Sequence, residues 1–137
     1  FMILGDTCTR ACSYCNVKTG WPNSVDLLEP HRVASTVKKM NLKYTVITSV
    51  DRDDLNDYGS GVFAKTIEEV RKLSPKCKIE VLIPDFEGDF ESLQKVITAN
   101  PQVLNHNIET VRRVFKKVRP RGNYDLSLNL IRTIYLK

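Results

Sequence analysis

Hydrophobic positions along the chain change period several times, and each change marks an element. Ile3 and Leu4 within FMILGD form a short apolar run stopped by Gly5 and Asp6, which predicts a buried strand. After a polar loop, Pro30 stands where helices begin, and Val33, Val37 and Met40 recur at the spacing of one helical face. Tyr44 to Val50 is β-branched without helical period, as expected of a strand covered on both sides. Phe63, Ile67, Val70 and Leu73 mark a second helix, Ile79 to Ile83 a third strand, and Phe90, Leu93 and Val96 or Ile97 a third helix. Val103 to Ile108 follows as a fourth strand. Thr110 to Val118, with Val111, Val114, Phe115 and Val118 inward, and Asp125 to Leu136 read as helical stretches on either side of the loop 120–123.

The pattern is βα repeated four times, so the fold class is α/β with a parallel sheet and right-handed crossovers. On this count alone, the units belong either to part of a TIM-type (β/α) barrel or to an open doubly wound sheet. Polar clusters end every strand: Asp6 and Thr7, Asp51 to Asp54, Asp85, then Asn105 to Asn107 with Glu109. In both architectures that edge carries the site.

Length and composition add limits. The 137 residues suit one domain able to bury a core without disulfides, and 42% hydrophobic with 27% charged residues excludes a disordered chain. The chain starts at Phe1 within a strand-like run and stops at Lys137 within a helix-like one, so residues 1–137 are expected to be one domain truncated at both ends. No apolar run approaches the ~18–20 residues of a membrane span and no signal peptide is apparent. The net charge of +5 is concentrated in Arg112, Arg113, Lys116, Lys117, Arg119 and Arg121. That face suits solvent or an acidic carrier protein better than nucleic acid.

Cysteine usage changes the picture most. Cys8, Cys12 and Cys15 cluster in the loop after the first strand, whereas Cys77 is distant and expected to be a small buried hydrophobe. Three thiolates in one loop can hold three corners of a [4Fe–4S] cubane and leave the fourth iron open. The competing zinc knot needs a fourth ligand, and His31, His106 and Cys77 are not local.

The CxxxCxxC spacing with Tyr14 before the third cysteine resembles the radical S-adenosylmethionine superfamily. The blocks FMILGDTCTRACSYC, VITSVDRDDLNDYG, LIPDFEGD, VLNHNIETV and KVRPRGNYDLSL, in order and over nearly the whole chain, resemble the lipoyl synthase family within it. Departures are Tyr58 where that family commonly has glycine and Ala11 where it has a basic residue.

The resemblance implies a radical S-adenosylmethionine barrel core, with Cys8, Cys12 and Cys15 holding the cluster. Tyr14, Ser49, Asp51, Arg52, Asn107, Glu109 and Arg119 would contact S-adenosylmethionine or substrate, and no side chain would act as a separate catalytic acid or base. It implies insertion of two sulfur atoms at C6 and C8 of protein-bound octanoyl groups. The carrier would be a lipoyl domain or H-protein, the reductant a ferredoxin or flavodoxin, and the compartment the cytoplasm or an organelle matrix. The upstream cysteine motif and C-terminal serine that hold the family's auxiliary [4Fe–4S] cluster are not in this sequence, so the chain alone is expected to bind one cluster without forming lipoyl groups. Other readings are a biotin-synthase-like radical enzyme, or a non-catalytic zinc- or RNA-binding module. For several single residues a plainer role competes: an Arg–Asp network for Arg52, a satisfied core histidine for His106, and a surface arginine for Arg119.

Overall fold

The structure, a computed structural model, describes residues 1–136; the last residue of the sequence-predicted terminal helical pattern, Lys137, lies outside them. Strands β1 (Met2–Ile3), β2 (Thr7–Cys8) and β3 (Lys18–Thr19) precede helix α1 (Glu29–Lys39); β4 (Tyr44–Ser49), α2 (Ser60–Leu73), β5 (Lys78–Leu82), α3 (Phe90–Thr98) and β6 (Val103–Asn105) follow. The one-turn helix α4 (Phe115–Val118) and α5 (Tyr124–Tyr135) complete the order.

The main sheet is parallel throughout, in the order β1-β4-β5-β6. Its strands are neighbours in the order in which the chain makes them, without reversal. Right-handed crossovers then place every connecting helix on the same side, whereas a doubly wound sheet reverses and uses both. That decides the choice the periodicity left open in favour of part of a barrel.

Burial follows from this one-sided arrangement. Thr45 and Ile47 of β4, with Ile79 and Val81 of β5, point under the helices and are buried. Val33, Ala34 and Val37 of α1, Phe63, Ile67 and Val70 of α2, and Leu93 and Val96 of α3 close over them. Phe63 meets Phe86 edge to face at 6.4 Å. The expectation that the second strand is covered on both faces is corrected: Tyr44 and Val46 are 44% and 41% exposed, because no helix covers the other face among the described residues. Met40 also departs from its expected inward face, being 60% exposed at the end of α1.

Two further differences concern the last third. The fourth strand ends at Asn105 rather than Ile108, and the backbone leaves it by a left-handed residue, Glu109 (φ 70°). Thr110 to Val118 is a 3-10 turn at 112–114 followed by α4, with Val111 59% exposed. Only Phe115 anchors it fully, packing edge to face on Tyr124.

The first and second strand-to-helix loops meet at Gly59. Leu4 leaves β1 with φ 69° and is buried, and a Cβ on Gly59 (φ +83°) would stand 2.3 Å from its Cδ1. Gly59→Ala should therefore destabilise the chain by about 2–4 kcal/mol, left-handed strain adding to overpacking. Urea unfolding of the two proteins measures this.

Candidate cofactor site at the edge of the sheet

The cysteine loop is closed at its base by a two-residue parallel ladder that the sequence did not reveal. Thr7 pairs with Lys18 and Cys8 with Thr19, and Gly20 N–H donates to the Cys8 carbonyl at 3.0 Å. Residues 9–17 are thereby a closed excursion carrying Cys12 and Cys15. Thr9 N–H donates to Asp51 O (3.0 Å) and Ser13 N–H to Val118 O (2.9 Å), tying the loop to the ends of β4 and α4.

Arg10 holds it from below. The side chain is 2% exposed and forks onto two carboxylates, Asp53 (2.8–3.1 Å) and Asp85 (2.7–2.8 Å), with Asp51 at 3.5 Å. These three aspartates end β4 and β5, so one guanidinium joins the loop to two strands. Burial pushes the Asp85 carboxyl up, but hydrogen bonds from Arg10 outweigh it and leave it below the usual value. Asp51 goes the other way, raised by burial and then by Asp85 and Asp53 despite Arg10.

Above this network lies a cavity walled by all three clustered cysteines, with Tyr14, Ser49, Asp51, Asn107, Glu109 and Arg119. Cys8 is buried, and its sulfur accepts N–H bonds from Asp51 (3.3 Å) and Arg10 (3.4 Å); burial pushes its thiol pKa up. Cys12 is half-buried, while Cys15 is exposed and accepts from Val17 N–H at 3.5 Å. Tyr14 is raised as well, by desolvation and then by Cys12 and Glu109. Backbone donors aimed at sulfur favour thiolates once a positive centre is present.

Three polar atoms in this wall are buried without a hydrogen-bond partner: Ser49 Oγ, Asp51 Oδ1 and Arg119 Nε. Such orphans are rare, and three around one cavity point to a polar ligand. Arg119 is 5% exposed, which rules out the surface reading; one Nη donates to Asn107 O at 2.9 Å and its guanidinium lies over Phe115.

Arg52 does not join this wall. Its guanidinium is spent on Asp54 (2.9 Å), Leu4 O and Asn23 O, an Arg–Asp network on the far side of the loop. His106 lines the cavity but has both ring nitrogens engaged, Nδ1 with Ile83 O (2.9 Å) and Nε2 with Ser127 Oγ (3.0 Å). Burial depresses its pKa below the ordinary value. The unfolded chain therefore binds the proton first, and stability should be full above about pH 6.5 and fall as pH drops below it. The loss between pH 7.5 and 5.5, read from urea midpoints, should shrink in His106→Gln. Arg10, Thr48 and Pro84 were not anticipated as site residues; the signal for Arg10 was four aspartates at strand ends with few cations in reach.

Among the described residues no three His, Cys, Asp or Glu side chains converge as a single metal ion requires. A cubane asks less, since each thiolate meets its own iron. No fourth protein ligand is at hand: Cys77 precedes β5 at the opposite edge, and His31 pairs with Glu69 on the helical side. Three thiols, an open corner and unpaired groups suited to an amino acid's amine and carboxylate fit a [4Fe–4S] cluster with S-adenosylmethionine.

Comparison with known proteins agrees with this geometry. The radical SAM superfamily model matches residues 2–135, and the chain belongs to that superfamily. The chain is also similar to lipoyl synthases over nearly its whole length. That of Oceanobacillus iheyensis is 55% identical over 134 residues, 98% of this chain and 43% of the relative. Those of Halalkalibacterium halodurans (56%; 96% and 44%) and Flavobacterium psychrophilum (51%; 100% and 47%) are comparable. The chain thus spans a little under half the length of these relatives. Among solved structures, methylornithine synthase (PylB) superposes with TM-score 0.61 at 16% identity, covering 96% of this chain and 39% of that one, a likeness of fold.

Proposed function

We propose that this chain is the radical-generating core of a lipoyl synthase, and that the whole protein inserts sulfur at C6 and C8 of an octanoyl group carried on a lipoyl domain or H-protein. The reading rests on one observation above others: three thiols and three residues with a buried polar atom that makes no hydrogen bond line the same cavity. Whole-chain identity of 51–56% with lipoyl synthases supports the choice within the superfamily.

In this proposal Cys8, Cys12 and Cys15 hold the cluster. Arg119 receives the methionyl carboxylate, Asp51 and Ser49 the amine, and Asn107 and Glu109 the ribose hydroxyls, while Tyr14 lies at the rim. When bound, the cluster supplies an electron that splits S-adenosylmethionine into methionine and a 5′-deoxyadenosyl radical. The chain's residues orient the reactants and keep water out, since hydrogen abstraction depends on contact rather than on a proton carrier. A ferredoxin or flavodoxin would supply the electron, within a reducing compartment such as the cytoplasm or an organelle matrix.

Anaerobic reconstitution of the chain should give a brown protein with a broad visible band and about four irons per chain. Arg119→Ala should keep that band but weaken S-adenosylmethionine binding about 10- to 100-fold, the cost of a lost charge-assisted contact. A colourless protein loaded with zinc instead would overturn the reading. With the whole protein, formation of lipoyl groups on an octanoylated lipoyl domain tests the substrate.

A further inference from the structure

Residues 110–124 contain six arginines and lysines and no acidic residue. Four of them are committed within the chain. Arg112 is paired with Asp125 (2.6–2.7 Å) and lies over Tyr124. Lys116 donates to Gly122 O, and Arg119 is buried in the cavity wall. Arg121 donates to Thr9 O (3.1 Å) and approaches Asp53 (3.7 Å). Arg113 and Lys117 are exposed and have no partner among the described residues.

The position of this ridge is fixed relative to the cavity. Glu109 at one end and Arg119 at the other both line it, so the segment between them lies along its rim. Ser13 N–H to Val118 O and Arg121 to Thr9 O stitch the same segment to the cysteine loop. A partner seated on the ridge is therefore beside the mouth, close enough to reach in with a tethered group.

We propose that the Arg113–Lys117 ridge is the docking surface for an acidic protein that presents its acyl chain to the cavity. This rests on the proposed function and extends it to the carrier's surface. Two unpaired cations on a braced segment match scattered carboxylates, and such rim charges act on encounter more than on chemistry. Single-stranded nucleic acid binders supply aromatic platforms for bases, whereas of the two aromatics in this segment Phe115 is 1% exposed and Tyr124 is covered by Arg112.

The test uses the whole protein, reconstituted anaerobically, with Arg113→Glu/Lys117→Glu. Fluorescence anisotropy with an octanoylated acidic lipoyl domain should show wild-type affinity falling steeply between about 50 and about 300 mM salt, as screening of charge–charge contacts requires. The double variant should bind at least about tenfold more weakly at low salt with a flatter salt dependence. Its reductive cleavage of S-adenosylmethionine without carrier should equal wild type, showing that fold and cavity are intact. Lysines placed on the acidic face of the lipoyl domain should restore binding to the variant. Unchanged carrier affinity, or an equal loss of carrier-free cleavage, would overturn the proposal. So would tighter binding of a single-stranded RNA oligonucleotide that the variant abolishes. Charge-dependent carrier binding without sulfur insertion would support the surface while refuting the proposed function.

Discussion

Arg10→Ala should cost the metal-free chain about 3–5 kcal/mol, the price of leaving buried carboxylates with only the more distant Arg119 (3.9 Å from Asp85) and Arg121 (3.7 Å from Asp53). Arg10 is the one cation within bonding distance of both Asp53 and Asp85, and both carboxylates are nearly inaccessible, at 8% and 3%. Without it, Asp51, Asp53 and Asp85 face one another across the base of the cysteine loop. Relief would come through proton uptake, so the variant should be less unstable at acid pH than at neutral pH. Arg10→Lys keeps the charge but not the double fork, and its stability should fall in between. The comparison that isolates charge from packing is Arg10→Met with Asp53→Asn and Asp85→Asn, which should recover much of the loss. Urea midpoints of the four proteins decide it. A loss under about 1 kcal/mol in Arg10→Ala would mean that water, not Arg10, satisfies those carboxylates.

Cys8→Ala and Cys15→Ala should both abolish the visible band and the cleavage of S-adenosylmethionine, yet differ in the metal-free state. Cys8 is buried, pairs within the small ladder and accepts two backbone N–H groups that have no other acceptor among the described residues. Its removal should destabilise the empty chain by about 1–3 kcal/mol, since two donors are left unpaired. Cys15 is exposed and accepts one long bond. Its removal should change stability by less than about 0.5 kcal/mol. Thermal melts before reconstitution and iron content after it separate the two roles. Retention of a cluster by either variant would mean that another residue can replace that cysteine.

How much of this was legible in the sequence depended on which forces acted locally. The four strands and α1, α2 and α3 were readable because burial under one layer imposes periods that survive in Val33 and Val37, or Phe63, Ile67 and Val70. The bare face of β4 was not, since Val46 and Ile47 are equally apolar and only the one-sided stacking of helices distinguishes them. Residues 106–108 read as strand by composition, but His106 is turned toward Ile83 O and Ser127, and Glu109 just beyond takes a left-handed backbone. Tertiary bonds overrode propensity there. Polar clusters at strand ends located the cavity, and the spacing of Cys8, Cys12 and Cys15 points to the chemistry proposed for it. Which of the four clustered residues 51–54 faces inward was set by the loop's course, turning Asp51 toward Cys8 and Arg52 toward Leu4. The ladder of Thr7 and Cys8 with Lys18 and Thr19 is too short to leave a pattern.

Braced by that ladder, by Arg10 and by the Val118 carbonyl, residues 9–17 have little conformational freedom left to surrender to the cluster proposed for them. The folded polypeptide is a mould whose shape precedes its casting. Under the proposed function, assembly would follow folding as a separate, later event, with the metal-free molecule as the recipient for iron handed over by a donor.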